Sequence, residues 1–160
     1  MHLFKNYIQT LSIIFITIII FTGLHLLFCL DIHMLKIAIH NVSTNYMFFK
    51  IIYPIVFILL GINMYIYYLS FDSNKYIYMF FLLYLLILAL LTFSSFLILR
   101  YANFIFAFWI TTLAFLLSCI FIYYIKFNYH TYYYFSYIPS VIIIYLSIIY
   151  FWLYVVLSFS

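Results

Sequence analysis

Long apolar runs separated by small polar clusters dominate the chain, and five of them reach bilayer length. The first covers about residues 7–30 and stops at Asp31. The second, about 51–70, gives way to a turn holding Asp72, Ser73 and Asn74. The third covers about 76–99 and ends at Arg100, the fourth about 103–125 and ends at Lys126, and the last about 135–157. A helix needs roughly 20 mostly apolar residues to cross the hydrocarbon core. Membrane-spanning strands need only about ten, and those alternate in polarity. These runs are longer and apolar throughout. The pattern therefore predicts an all-α protein, residues 1–160 forming one integral membrane bundle of five transmembrane helices.

The connections add a second constraint. Those after the second, third and fourth runs are short, which forces antiparallel neighbours. The first, about 31–50, is the longest and holds Asp31, His33, Lys36, His40, Asn41, Ser43, Thr44 and Asn45. A lid or ligand-facing loop is expected there. Five crossings put Lys5, Lys75 and Lys126 on one side and Lys36, Lys50 and Arg100 on the other. With three basic residues on each side, the positive-inside rule favours neither orientation. The chain has no internal repeat.

Composition agrees with the pattern. The chain is 72% hydrophobic and 5% charged, with mean hydropathy +1.32, whereas a soluble domain carries about a quarter charged residues. The basic residues stand singly beside apolar runs, as membrane-flanking residues do, so the net charge of +4 argues for no nucleic-acid partner. The partner it implies is the lipid bilayer, in a bacterial inner membrane or an organelle membrane. Cys29 and Cys119 lie in apolar runs without a CxxC motif and read as small hydrophobes rather than a disulfide pair. The first run is long and no small-residue cleavage site follows it, so no cleavable signal peptide is expected.

Chemistry inside the runs is sparse. Glu is absent, and both acids, Asp31 and Asp72, lie at run edges. His25 is the only histidine within a run, near its end; His33 and His40 are seven apart in the first loop, on roughly one face if that segment is helical. No Cys, Asp or Glu completes a metal ligand set with them. No nucleophile–base pair stands inside a run either, so the chain is expected not to be an enzyme and to require no cofactor.

One segment carries a family pattern. Residues 49–65, FKIIYPIVFILLGINMY, resemble the second helix of the translocator protein / tryptophan-rich sensory protein family, F-x-x-x-W-x-x-L-Y-x-L-M-G-x-x-x-Y. Phe49 falls on the Phe, Tyr53 on the Trp, Phe57 on the Tyr, Leu59 on the Leu, Leu60 on the Met, Gly61 on the Gly and Tyr65 on the last aromatic. Phe96 and Arg100 match W-S-P-L-F-F-G-L-R in the third helix, Ala107 falls near a small residue opening the fourth, and Pro139 and Ser147 resemble the last helix. The resemblance covers about residue 49 to the C-terminus.

Several of the family's signature residues are absent. The first-loop positions hold His33, Met34, Ile37, Ile39, His40, Thr44 and Asn45; the third helix has Leu85, Ala89 and Thr92, and the last Ser140, Ile143 and Phe151. Trp109 and Trp152 are the only tryptophans. The resemblance implies a five-helix bundle, able to form a homodimer, that binds a small apolar ligand (a porphyrin, heme or sterol-like molecule) for transport or sensing. The implied pocket lies under the first loop, lined by His33, His40, Phe49, Tyr53, Phe57, Gly61, Tyr84, Thr92, Pro139 and Ile143. The rival expectation is a non-catalytic accessory subunit of a larger membrane complex, such as a respiratory assembly. A monomeric bundle with a roofed cavity beneath the first loop would favour the binder, and a flat open sheet of helices the subunit.

Overall fold

The computed structural model describes residues 7–30, 32–39, 46–70, 77–128 and 133–159. They form α1 (Tyr7–Phe28), α2 (His33–Ala38), α3 (Tyr46–Ser70), α4 (Ile77–Tyr101), α5 (Phe104–Asn128) and α6 (Tyr133–Phe159), with no strand among the described residues. All but α2 are long and apolar enough to cross a membrane. A helix of 25 residues, the length of α3, α4 and α5, is about 37 Å long, sufficient for the hydrocarbon core and part of each interface.

Two boundaries differ from the sequence reading. α3 begins at Tyr46 rather than near residue 51, because Met47, Phe48 and Phe49 continue its apolar run and nothing before Pro54 breaks the helix. The first loop also folds a helix of its own, α2, whose Leu35 is fully buried against the bundle while His33 and Lys36 face outward.

The spanning helices close a ring. α1 packs on α3 and α4, α3 on α4 and α6, α6 on α5, and α5 on α4, while α2 lies against α4. This is a bundle and not a flat sheet. α1 is the least enclosed member: 11% of its apolar window is buried, against 50% for α4. Lipid is as apolar as leucine, so the ring holds through close packing and inter-helix hydrogen bonds rather than expulsion of water. The α5–α6 seam displays both. Ala107, Thr111, Ala114 and Ser118 recur every three to four residues on the buried face of α5. Across the seam Thr112 meets Ser147 at 2.6 Å and Ser118 meets Ser140 at 2.8 Å. Ala107 and Ser147, two of the small residues in the resemblance, thus let α5 and α6 approach.

Both prolines open a helix, and at Pro54 a neighbouring helix repairs the break. Pro54 has no N–H, so the carbonyl of Lys50, four residues earlier, loses its helical donor. His25 of α1 places Nε2 3.2 Å from that oxygen. A carbonyl can only accept, so Nε2 carries the proton and Nδ1 is left as a buried acceptor without a partner among the described residues. In α6, Pro139 deprives the Phe135 carbonyl of its helical donor, and Asn63 of α3 donates through Nδ2 to the neighbouring Ser136 carbonyl at 3.4 Å. Unpaired backbone groups cost several kcal/mol in hydrocarbon. The histidine of α1 is placed where that cost would fall.

α4 ends by reversal at Ala102, the one non-glycine residue with positive φ, 49°, among the described residues. The turn is closed by Ala102 N–H to the Ile98 carbonyl and Asn103 N–H to the Leu97 carbonyl, both 3.1 Å, and Asn103 Oδ1 then accepts from Phe106 N–H at 3.3 Å to open α5. A left-handed conformation costs an L-residue roughly 1 kcal/mol that glycine avoids. Ala102→Gly is therefore expected to raise stability by about 0.5 kcal/mol, after the extra freedom glycine brings to the unfolded chain. Titrating helicity against SDS in mixed micelles checks this; a loss of stability would mean that the turn is not left-handed.

Candidate functional site

The buried face of α3 organises the ring interior. Phe49, Tyr53, Phe57, Leu60 and Met64 follow one another at three- or four-residue spacing and are all buried. Phe49 stacks on Tyr150 of α6 at 5.8 Å between ring centres, and His25 lies 5.0 Å from the Tyr53 ring and 6.4 Å from Phe57.

The hydroxyls here form a directed chain. Ser94 Oγ donates to the Leu91 carbonyl at 2.8 Å, so its hydrogen is committed. Tyr53 O–H must then donate to Ser94, 2.9 Å away, and Tyr150 O–H to Tyr53. α3, α4 and α6 are tied at one point in this way. The same logic makes Tyr84 the donor to Thr17 of α1 across 3.2 Å, since Thr17 Oγ1 is already donating to the Ile14 carbonyl.

The structure distributes the expected lining residues unevenly. Phe49, Tyr53, Phe57 and Ile143 are fully buried in the shared core, and Pro139 is buried in α6. Tyr84 and Gly61 turn to α1 instead: Gly61 abuts Ile18 so closely that an added Cβ would press on its Cδ1. His33 is exposed on α2, and His40 lies outside the described residues.

Thr92 is set apart from the others. It lines a cleft of about 390 Å³ between α1 and α4, with Phe21, Leu24, Phe28, Ala89, Phe93 and Phe96. Phe28 and Phe96 meet across it at 5.0 Å, and Phe21 touches Phe57, so the cleft abuts the aromatic interior. Thr92 Oγ1 donates to the Leu88 carbonyl at 2.8 Å, leaving walls that are apolar and aromatic. A smaller groove of about 140 Å³ runs between α1 and α3 along Gly61.

Several of these participants escape a reading of the sequence. Tyr150 and Ser94 complete the Tyr53 chain, and a signal exists for both: a hydroxyl buried in a spanning helix needs a partner. Phe21 and Phe93 give no such signal, because any phenylalanine in a membrane helix can face lipid.

The fold and its apolar surface define a multi-pass membrane protein built as a closed five-helix bundle. Compared with known proteins, the chain matches no family model, no curated protein and no solved structure.

Proposed function

We propose that this chain is a non-catalytic membrane protein that binds a flat apolar ligand of the porphyrin or sterol class in the cleft between α1 and α4. The cleft carries the reading. Its volume of about 390 Å³ falls within the roughly 300–1,000 Å³ range of small-molecule sites. Four phenylalanines offer ring faces and edges for stacking, which suits a macrocycle better than a polar metabolite. A ligand of this chemistry partitions into the bilayer and would reach the cleft sideways. The closed ring also suits a binder more than the open helical sheet expected of an accessory subunit.

The second reading, an accessory subunit, draws on one observation, the low enclosure of α1, whose outer face could seat against a larger assembly. Titration separates the two. The purified chain in lipid nanodiscs is titrated with protoporphyrin, following the absorbance band and quenching of Trp109 and Trp152. Ala89→Phe serves as a plug, because Ala89 lines the cleft and is not part of the ring interior. Saturable binding is expected, weakened about tenfold or more by the plug, which equals about 1.4 kcal/mol. A linear, non-saturable signal identical in the plugged variant would sink the binder and leave the subunit.

A further inference from the structure

A different cleft, of about 510 Å³, opens where α4 turns into α5 and α6 ends. Its walls include Tyr101, Asn103, Phe104, Tyr154, Leu157 and Ser158, and no charged residue is among them. We propose that it holds a quaternary ammonium group, carried by a small soluble cation or by a choline lipid. The inference is independent of the ligand proposed between α1 and α4.

Three observations carry it. The first is the aromatic lining. Tyr101 comes from α4, Phe104 from α5 and Tyr154 from α6, so three helix ends each bring one ring to a single concavity. Tyr101 and Tyr154 are 60% and 40% exposed, which leaves ring surface open to an occupant. A cation within about 6 Å of such rings is drawn to their negative faces. A quaternary ammonium has no N–H to satisfy, so rings can replace its water without leaving a donor unpaired.

The second is the sign of the backbone. Both α4 and α6 end at the cleft, and a helix C-terminus presents carbonyls carrying partial negative charge. In the α4 reversal the Ala102 and Asn103 N–H groups go to the Ile98 and Leu97 carbonyls, so the later carbonyls of α4 stay free to accept. The N-terminus of α5, which has the opposite sign, is capped by Asn103 Oδ1 at 3.3 Å from Phe106 N. Ser158 adds lone pairs, since its own hydrogen goes to the Tyr154 carbonyl at 2.7 Å.

The third is where the nearby cations stand. Lys36 precedes the wall residue Ala38 by two positions, about 200° around α2, and Arg100 precedes Tyr101 by one, about 100° around α4. Neither belongs to the walls, so no like charge lines the cleft. Recognition there falls to rings and carbonyls, which suits a bulky, weakly hydrated cation.

The test titrates the full chain in detergent with choline, and with the neutral alcohol in which carbon replaces the choline nitrogen, by saturation-transfer NMR. Choline is expected to saturate and to bind about tenfold tighter than the neutral isostere. Tyr101→Leu and Tyr154→Leu should each weaken it about threefold, whereas Tyr145→Leu, an exposed ring of α6 outside the cleft, should change nothing. A second arm loads equimolar phosphatidylcholine and phosphatidylethanolamine and reads retained lipid by native mass spectrometry. Choline binding without a lipid preference supports the proposal with a soluble cation as occupant. A phosphatidylcholine preference lost in the two cleft variants supports it with the lipid headgroup. The proposal is overturned if neither choline saturation nor that preference is found, or if the isostere saturates as tightly as choline. It is also overturned if the cleft variants lose no more than Tyr145→Leu does. Tyr101 and Tyr154 are exposed, so replacing them opens no core.

Discussion

Replacing His25 by leucine is expected to destabilise the bundle by about 1–3 kcal/mol, the cost of leaving a buried acceptor unsatisfied. The loss comes from α3 rather than from α1. Pro54 withholds the N–H that would have satisfied the Lys50 carbonyl, and His25 Nε2, 3.2 Å away, is its replacement. Remove the imidazole and the carbonyl loses the donor that stands in for the missing N–H. A coupling follows that ordinary packing would not give. In a Pro54→Ala background the helix recovers its own donor, so His25→Leu should then cost about 1 kcal/mol less. Mixed-micelle SDS titrations of the four proteins in that cycle provide the numbers. Equal costs of His25→Leu in both backgrounds would show that the histidine serves another purpose, and the unpartnered Nδ1 would become the atom to explain.

The second large effect concerns Gly61. α1 is the least enclosed helix and leans on α3 where Gly61 meets Ile14 and Ile18. Gly61→Leu should force the two helices apart and cost about 1–3 kcal/mol, the usual range for overpacking. Gly61→Ala should be much milder. The atom nearest its new Cβ is the end of the Ile18 side chain, which can rotate, and alanine gains roughly 1 kcal/mol of helix propensity over glycine. A cysteine pair placed across α1 and α3 supplies a second readout: cross-linking should fall in Gly61→Leu and persist in Gly61→Ala. Undiminished stability and cross-linking in Gly61→Leu would mean that α1 does not pack there.

Much of the fold is legible in the sequence because bilayer thickness is a hard ruler. The runs ending at Arg100 and Lys126 need only length and polarity to be read as helices. What is not legible depends on which helix neighbours which. Tyr53 reads as a lining residue from its place in FKIIYPIVFILLGINMY, yet its partners, Ser94 and Tyr150, lie 41 and 97 residues away. The same register puts Thr92 under the first loop with Tyr53, whereas it faces the gap between α1 and α4. Phe21 and Phe93 join it only once the ring order is known, since apolar periodicity cannot rank two lipid-compatible faces. His25 is visible as an intramembrane histidine and Pro54 as a helix interruption. Nothing in a linear reading pairs the two.

The claim that the α1–α4 cleft holds a flat apolar ligand is tested most directly by photolabelling. A diazirine-bearing sterol or porphyrin probe is equilibrated with the chain in nanodiscs and illuminated, and the labelled residues are mapped by mass spectrometry. Labels are expected on Phe21, Leu24, Phe93 and Phe96, competed by excess unlabelled ligand and absent in Ala89→Phe. Labels spread over the lipid-facing surfaces of α5 and α6, around Trp109 and Trp152 and without competition, would contradict it.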